Sequence, residues 1–275
     1  MASEFIQKWH SVRKAKQSNI VAGLDPAVYE IGQGEKGLAK GVDLLEWSLA
    51  FVEAVAPYVV MIKTNQAYFQ GIGQREMLKK IVDRAHELDL LVMSDNKIAD
   101  IGSTNNAWAY YNAELGFDAM TCAPYAGNLI GTTETIQKYS MGAVTMGLMS
   151  NPEYRDLFKY QDSGNGERLW QRRVREALAC DCDGIVVGGT YTKDDPEFME
   201  CVAMTQGSDI LYLVPGIGAQ GGTVEDFLAS GIEPERCMIN SGRAVMFPNG
   251  SDSPAESQAH AARKLRDAFN AVAYS

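Results

Sequence analysis

Hydrophobic residues fall along this chain in two alternating kinds of run. Short apolar runs occupy 19–24, 59–64, 90–94, 117–122, 143–147, 184–187, 210–214 and 237–240. They are rich in Val, Ile, Leu and Met and barely alternate with polar residues, which is the pattern of strands covered on both faces. Between them, apolar residues recur at helical spacing. Leu45, Leu49 and Val52 share one face, and Met77, Ile81, Ala85 and Leu88 share another. Ala107, Trp108, Tyr111 and Leu115 repeat the pattern, as do Trp170, Val174, Ala177 and Leu178. Ser253, Pro254 and Glu256 predict a capping box with proline at the first helical position. The helix they open has Ala262, Leu265, Phe269 and Val272 on its apolar face.

Eight strands alternating with helices predict a (β/α)8 TIM barrel, with residues 1–275 forming one domain. An open doubly wound sheet is the other arrangement of such units. Strict one-to-one alternation with no second domain favours the closed barrel. Two connectors are long, 25–41 and 151–167. Both follow strands, so both belong at the C-terminal mouth and are lid candidates.

A barrel's active site sits where strands end and loops begin. The first strand ends in Gly23-Leu24-Asp25-Pro26, the second in Ile62-Lys63-Thr64-Asn65, and the third in Ser94-Asp95-Asn96-Lys97 followed by Asp100. Asp95 and Lys97 are two apart and share a face on an extended strand. A single Asp or Lys at a strand end is ordinarily a solvated cap. Four charged groups converging on one mouth are costly to desolvate unless they pair, and such arrays gather where pKa values are tuned. The seventh strand runs into Pro215-Gly216-Ile217-Gly218-Ala219-Gln220-Gly221-Gly222, and the eighth into Asn240-Ser241-Gly242-Arg243. Glycines let backbone N–H groups approach an anion, and Arg243 offers a fixed fork to a phosphate. Barrels often hold phosphate with these last two loops.

Charge and composition narrow the partners. The formal net charge is -10, which disfavours nucleic acid or an anionic membrane as a partner and leaves a local cationic cluster as the route to an anionic substrate. No apolar run reaches the roughly 18 residues of a membrane span, and the first 19 residues lack the apolar core of a signal peptide. Cys122, Cys180, Cys182, Cys201 and Cys237 fit no disulfide or metal spacing and read as reduced, mostly buried thiols of a cytoplasmic protein. His10, His86 and His260 all fall in helical segments, as do Trp9, Trp47, Trp108 and Trp170. These read as surface or packing residues, so no metal set emerges and no cofactor is implied.

The segment Asp95-Asn96-Lys97-Ile98-Ala99-Asp100-Ile101 resembles the DxKxxDI signature of the orotidine 5′-phosphate decarboxylase family. The resemblance covers nearly the whole chain, through Gly23-Leu24-Asp25-Pro26, Ile62-Lys63-Thr64-Asn65, Met149-Ser150-Asn151-Pro152, the 215–222 segment and Gly242-Arg243. The DxKxxD core alone is shared with related sugar-phosphate barrels.

The resemblance implies that Lys63, Asp95, Lys97 and Asp100 form a catalytic array. Asp25 would bind the ribose hydroxyls with Lys63, Ser150 the pyrimidine, and Gln220 and Arg243 the phosphate. Pro215 and Gly242 would line the substrate. Asp100, Ile101 and Thr104 would serve the neighbouring subunit of a homodimer. The reaction implied is cofactor-free decarboxylation of orotidine 5′-monophosphate, with Lys97 stabilising and protonating the C6 carbanion. A Mg²⁺-dependent sugar-phosphate barrel is the rival enzyme, but it carries an acidic residue where this chain has Lys63. A non-catalytic nucleotide-binding barrel is the rival outside enzymes, but it has no reason to keep all four charged residues.

Overall fold

The computed structural model describes residues 2–31, 37–71, 73–149, 151–157, 160–162, 164–217 and 222–275. Eight parallel strands close into a barrel in sequence order, each bonded to the next and β8 to β1. The strands are β1 (Ile20–Leu24), β2 (Met61–Thr64), β3 (Leu91–Ile98), β4 (Ala119–Cys122), β5 (Gly142–Leu148), β6 (Gly184–Val187), β7 (Leu211–Pro215) and β8 (Cys237–Ser241). Their apolar runs lie within a few residues of those read from the sequence. Nearly every strand residue is buried, because helices cover one face and the barrel interior the other.

The helices are α1 (Glu4–Lys16), α2 (Leu44–Val55), α3 (Gln74–Glu87), α4 (Gly102–Leu115), α5 (Leu129–Gln137), α6 (Pro152–Leu157), α7 (Leu169–Ala179), α8 (Pro196–Met204), α9 (Val224–Leu228), α10 (Arg243–Met246) and α11 (Ala255–Ala273). Among the described residues, the short 3₁₀ turns Gln66–Phe69 and Pro234–Arg236 lie between them. Among the described residues, no helix is long and apolar enough to cross a membrane.

The core has two layers. Ile62, Val92, Ile185 and Val214 pack outward against helix faces carrying Phe51, Ile81, Val174 and Phe269. Inside the barrel, Met61, Met93, Val144, Leu213 and Met238 form a second cluster, and α1 closes it from below with Phe5, Ile6 and Trp9. Ser3 caps α1 by accepting the Ile6 N–H at 3.2 Å, and its own hydroxyl donates to Asp183. Trp9 is fully buried and donates its indole N–H to the Glu235 carbonyl at 3.0 Å. The opening segment, whose sequence shows no apolar core of its own, is therefore the floor of the barrel.

Two expectations are corrected. Of the apolar face assigned to α4, Leu115 is buried but Ala107, Trp108 and Tyr111 are exposed; Asn105, Ala109 and Asn112 point inward in their place. Asn112 is paid back in hydrogen bonds, its Oδ1 accepting from Gln66 Nε2 at 2.7 Å and its Nδ2 donating to the Trp108 carbonyl at 2.8 Å. The capping box at the last helix does not form. Pro254 itself is the N-cap of α11, and the Ser253 hydroxyl is engaged with the Asn249 N–H and the Gly250 carbonyl. Of the four tryptophans, Trp9 and Trp170 are fully buried, Trp47 stacks between Phe51 and Phe247, and Trp108 faces outward. The five cysteines are all free, four of them buried.

Candidate active site

Lys63, Asp95 and Lys97 meet at the C-terminal mouth. Asp95 Oδ2 accepts from the Lys63 ammonium at 2.5 Å, and Oδ1 accepts from the Lys97 ammonium at 2.6 Å. The first pair is buried, whereas the Lys97 side chain is 42% exposed and reaches toward the open mouth. Burial pushes the Asp95 carboxyl up, but the two ammoniums outweigh it and hold the group well below the usual carboxylate range. Burial likewise works against a charged Lys63, and Asp95 and then Asp25 overcome it, so its ammonium is held above its ordinary pKa. The buried Lys63–Asp95 pair thus favours its ionised form.

The backbone that delivers these groups is irregular. Ser94 pairs with Met120 and Ile98 with Cys122, so Asp95, Asn96 and Lys97 bulge across the single residue Thr121. Lys97 sits at φ 48°, a left-handed conformation that costs about 1–2 kcal/mol in a non-glycine residue. The contact between Asp95 and Lys97 that simple strand alternation predicts is achieved instead by this bulge. Strain of this kind persists where surrounding contacts over-determine it.

Asp100 stands apart from the buried pair. Its Oδ1 accepts its neighbour Ile101's N–H at 2.8 Å, the side chain is exposed, and no ion pair joins it to Lys63 or Lys97 among the described residues. Its carbonyl, by contrast, is clamped by Asn105 Nδ2 at 2.5 Å and Asn128 Nδ2 at 3.0 Å. Ile101 is 61% exposed, and Thr104 is also exposed, lining a surface groove of about 380 Å³ with Arg75, Trp108 and Tyr111. Asp100, Ile101 and Thr104 therefore face outward together on the α4 side.

A second depression, of about 450 Å³, opens on the β7–β8–β1 side, lined by Asp25, Tyr68, Pro215, Asn240, Gly242 and Arg243. Arg243 is exposed and has no salt bridge among the described residues, which leaves its fork open to the depression it lines. Asp25 joins the two halves. Its Oδ1 accepts the Asn65 N–H at 2.9 Å, and its charge acts on Lys63. The loops here pack very closely. A Cβ on Gly23 would lie 3.0 Å from the Gly242 Cα, and one on Gly222 only 1.8 Å from the Gly189 carbonyl oxygen. Gly222 is thus required by packing against the loop after β6. Ser150 and Gln220 lie outside the described residues, as do parts of both long connectors.

No cluster of His, Cys, Asp or Glu suited to a metal ion occurs among the described residues. The buried Asp95 carboxylate already carries an ammonium on each oxygen, so a divalent cation there would have to displace one of them. A cavity of about 530 Å³ at the opposite end, beside Ser3, Gln137 and Asp183, is remote from this chemistry.

Sequence reasoning missed Thr121, Asn105 and Asn128. All three are neutral side chains whose importance lies in what they bond, and nothing in their spacing marks it. Asp183 was likewise invisible.

A parallel barrel whose mouth holds a carboxylate between two ammoniums, with an open guanidinium across from it, is a (β/α)8-barrel enzyme of the lysine–aspartate type. More narrowly, the chain belongs to the orotidine 5′-phosphate decarboxylase / HUMPS family, whose profile matches residues 18–257. An orotidine 5′-phosphate decarboxylase of Bordetella petrii is 32% identical over 281 residues, spanning 98% of this chain and 99% of its own. One from Herpetosiphon aurantiacus is 30% identical, spanning 96% of each chain. The structure of Leishmania donovani OMP decarboxylase superposes with a TM-score of 0.75 at 22% identity, covering all of both chains, which bears on the fold.

Proposed function

We propose that this protein decarboxylates orotidine 5′-monophosphate to uridine 5′-monophosphate and CO2, without a cofactor, in de novo pyrimidine synthesis. The observation that carries the reading is the Asp95 carboxylate bridging two ammoniums, at 2.5 Å and 2.6 Å, in the mouth of a barrel of this family.

Breaking the C6–carboxylate bond leaves its electron pair on C6, where the pyrimidine ring offers little delocalisation. The protein must oppose that charge with a fixed one. In this reading Lys97 does so, which is supported by its ammonium lying at the exposed end of the cluster and bonded to Asp95. It gives its proton to C6 and the resulting amine is reprotonated from solvent. Asp95 serves to hold both lysines. With one ammonium on each oxygen it has little charge left to repel a substrate carboxylate, which supports electrostatic stabilisation over ground-state repulsion as its role.

In this reading Lys63 and Asp25 bind the ribose hydroxyls, and Arg243 with Gln220 takes the phosphate in the depression that Pro215 and Gly242 line. Ser150 hydrogen-bonds the pyrimidine. Gripping the phosphate far from the reacting carbon lowers the barrier if it closes and dries the site. The outward-facing Asp100, Ile101 and Thr104, beside exposed Trp108 and Tyr111, support a homodimer in which each chain lends these residues to its neighbour's site. The whole chain acts as one barrel domain, and its five free thiols suit the cytoplasm.

The test is the fall in ultraviolet absorbance of orotidylate with EDTA present, with uridylate identified as product. Turnover unaffected by the chelator is expected. Turnover only with added Mg²⁺, or uridylate binding with no turnover, would mean that the reading is wrong.

A further inference from the structure

We propose that Thr121, on β4, is a positioning residue for the lysine–carboxylate centre. It is fully buried, and it is the single β4 residue opposite the three-residue bulge of β3. Its hydroxyl donates to Asp95 Oδ1 at 2.9 Å and accepts the Lys97 backbone N–H at 2.9 Å.

Each of those bonds has a distinct effect. A regular parallel ladder would satisfy the Lys97 N–H with a carbonyl of the neighbouring strand. The bulge removes that carbonyl, and the Thr121 hydroxyl takes its place, holding Lys97 in its left-handed conformation at φ 48°. The bond to Asp95 fixes the carboxylate's rotation. Oδ1 is shared by Thr121 and Lys97, which leaves Oδ2 to Lys63. One hydroxyl therefore ties together the backbone of one catalytic group and the side chain of another. Without it, the rotation of Asp95 is set by the two flexible ammoniums alone, and the Lys97 backbone loses the acceptor that fixes the height of its ammonium above the mouth.

The inference rests on the decarboxylase reading for its kinetic test. Thr121→Val keeps the shape of the side chain and removes the hydroxyl, while Thr121→Ser keeps the hydroxyl. Misplacing a reacting group by about an ångström costs on the order of 100-fold. In Thr121→Val, kcat for orotidylate is expected to fall about 10- to 100-fold, with KM changed less than about threefold. Thr121→Ser is expected to stay within about threefold of wild type. Calorimetric binding of uridylate then shows whether the valine variant is folded with an intact site.

Wild-type kcat in Thr121→Val, or an equal loss in the serine variant, would overturn the proposal. So would a loss that resides in KM alone. If wild type itself fails to turn over orotidylate, the decarboxylase reading falls, and a crystal structure of Thr121→Val decides the positioning role by itself. An Asp95 carboxylate turned away from Lys97 supports it, and an unmoved one overturns it.

Discussion

Two buried aspartates, one at each end of the barrel, are treated in opposite ways. Asp95 at the mouth meets two ammoniums and one hydroxyl, and its carboxyl is held well below the ordinary range despite burial. Asp183 at the floor is fully buried but meets only neutral donors among the described residues: the Ser3 hydroxyl, the Ala143 N–H at 2.8 Å and Gln137 Nε2 at 3.3 Å. Burial raises its pKa, and these donors only partly offset the rise. The mouth is therefore built to keep charge inside a protein, and the floor to fasten α1 across the barrel. The same contrast runs through the surroundings. The mouth leaves Lys97, Asp100 and Arg243 exposed, while the floor is sealed by Phe5, Ile6 and Trp9.

The largest effect expected from breaking this contrast comes at the mouth. Asp95→Asn leaves the buried Lys63 ammonium without its main partner and Lys97 without its anchor. Turnover of orotidylate should fall by about 10³-fold, and urea denaturation should show a loss of about 3–5 kcal/mol. At the floor, Trp9→Ala should cost about 3–5 kcal/mol of stability through the cavity it opens. The folded fraction should keep kcat within about twofold. A large loss of kcat there would mean that the two ends are not independent.

Arg243→Ala should lower kcat/KM for orotidylate by about 10- to 100-fold, the value of a charge-assisted bond to phosphate, with no change in melting temperature. The smallest effect belongs to Asp183→Ala, about 1–3 kcal/mol for the donors it orphans. The two aspartates also differ in sign with pH. The Asp183 pKa is raised, so its contribution is full below the ordinary carboxylate pKa and is lost as pH rises through its folded value. The Asp95 pKa is depressed, so its contribution is present above the ordinary value and is lost only as pH falls through a much lower one. Stability profiles of the two variants against wild type should separate these opposite slopes.

The sequence made the barrel legible because strands covered on both faces leave unbroken apolar runs, and eight of them were visible. The charged cluster of the candidate site was legible for a related reason: Asp25, Lys63, Asp95 and Lys97 stand in or just after those runs at strand ends, where the structure brings them together. What pattern could not show was anything set by partners. Trp108 and Tyr111 have the spacing of a buried face, yet Asn105 and Asn112 take that face because hydrogen bonds are waiting for them. Thr121 looks like any strand threonine until the bulge beside it is seen. The floor was missed because Phe5, Ile6 and Trp9 form too narrow a stripe among polar residues to announce a plug.

The proposed chemistry turns on the Lys97 ammonium meeting the charge that develops on C6. Single-turnover decay of orotidylate by Lys97→Ala, compared with wild type and paired with uridylate binding by calorimetry, tests it most directly. A loss of at least about 10⁴-fold in the chemical step is expected, with the nucleotide still bound. Decarboxylation within about tenfold of the wild-type rate would contradict it.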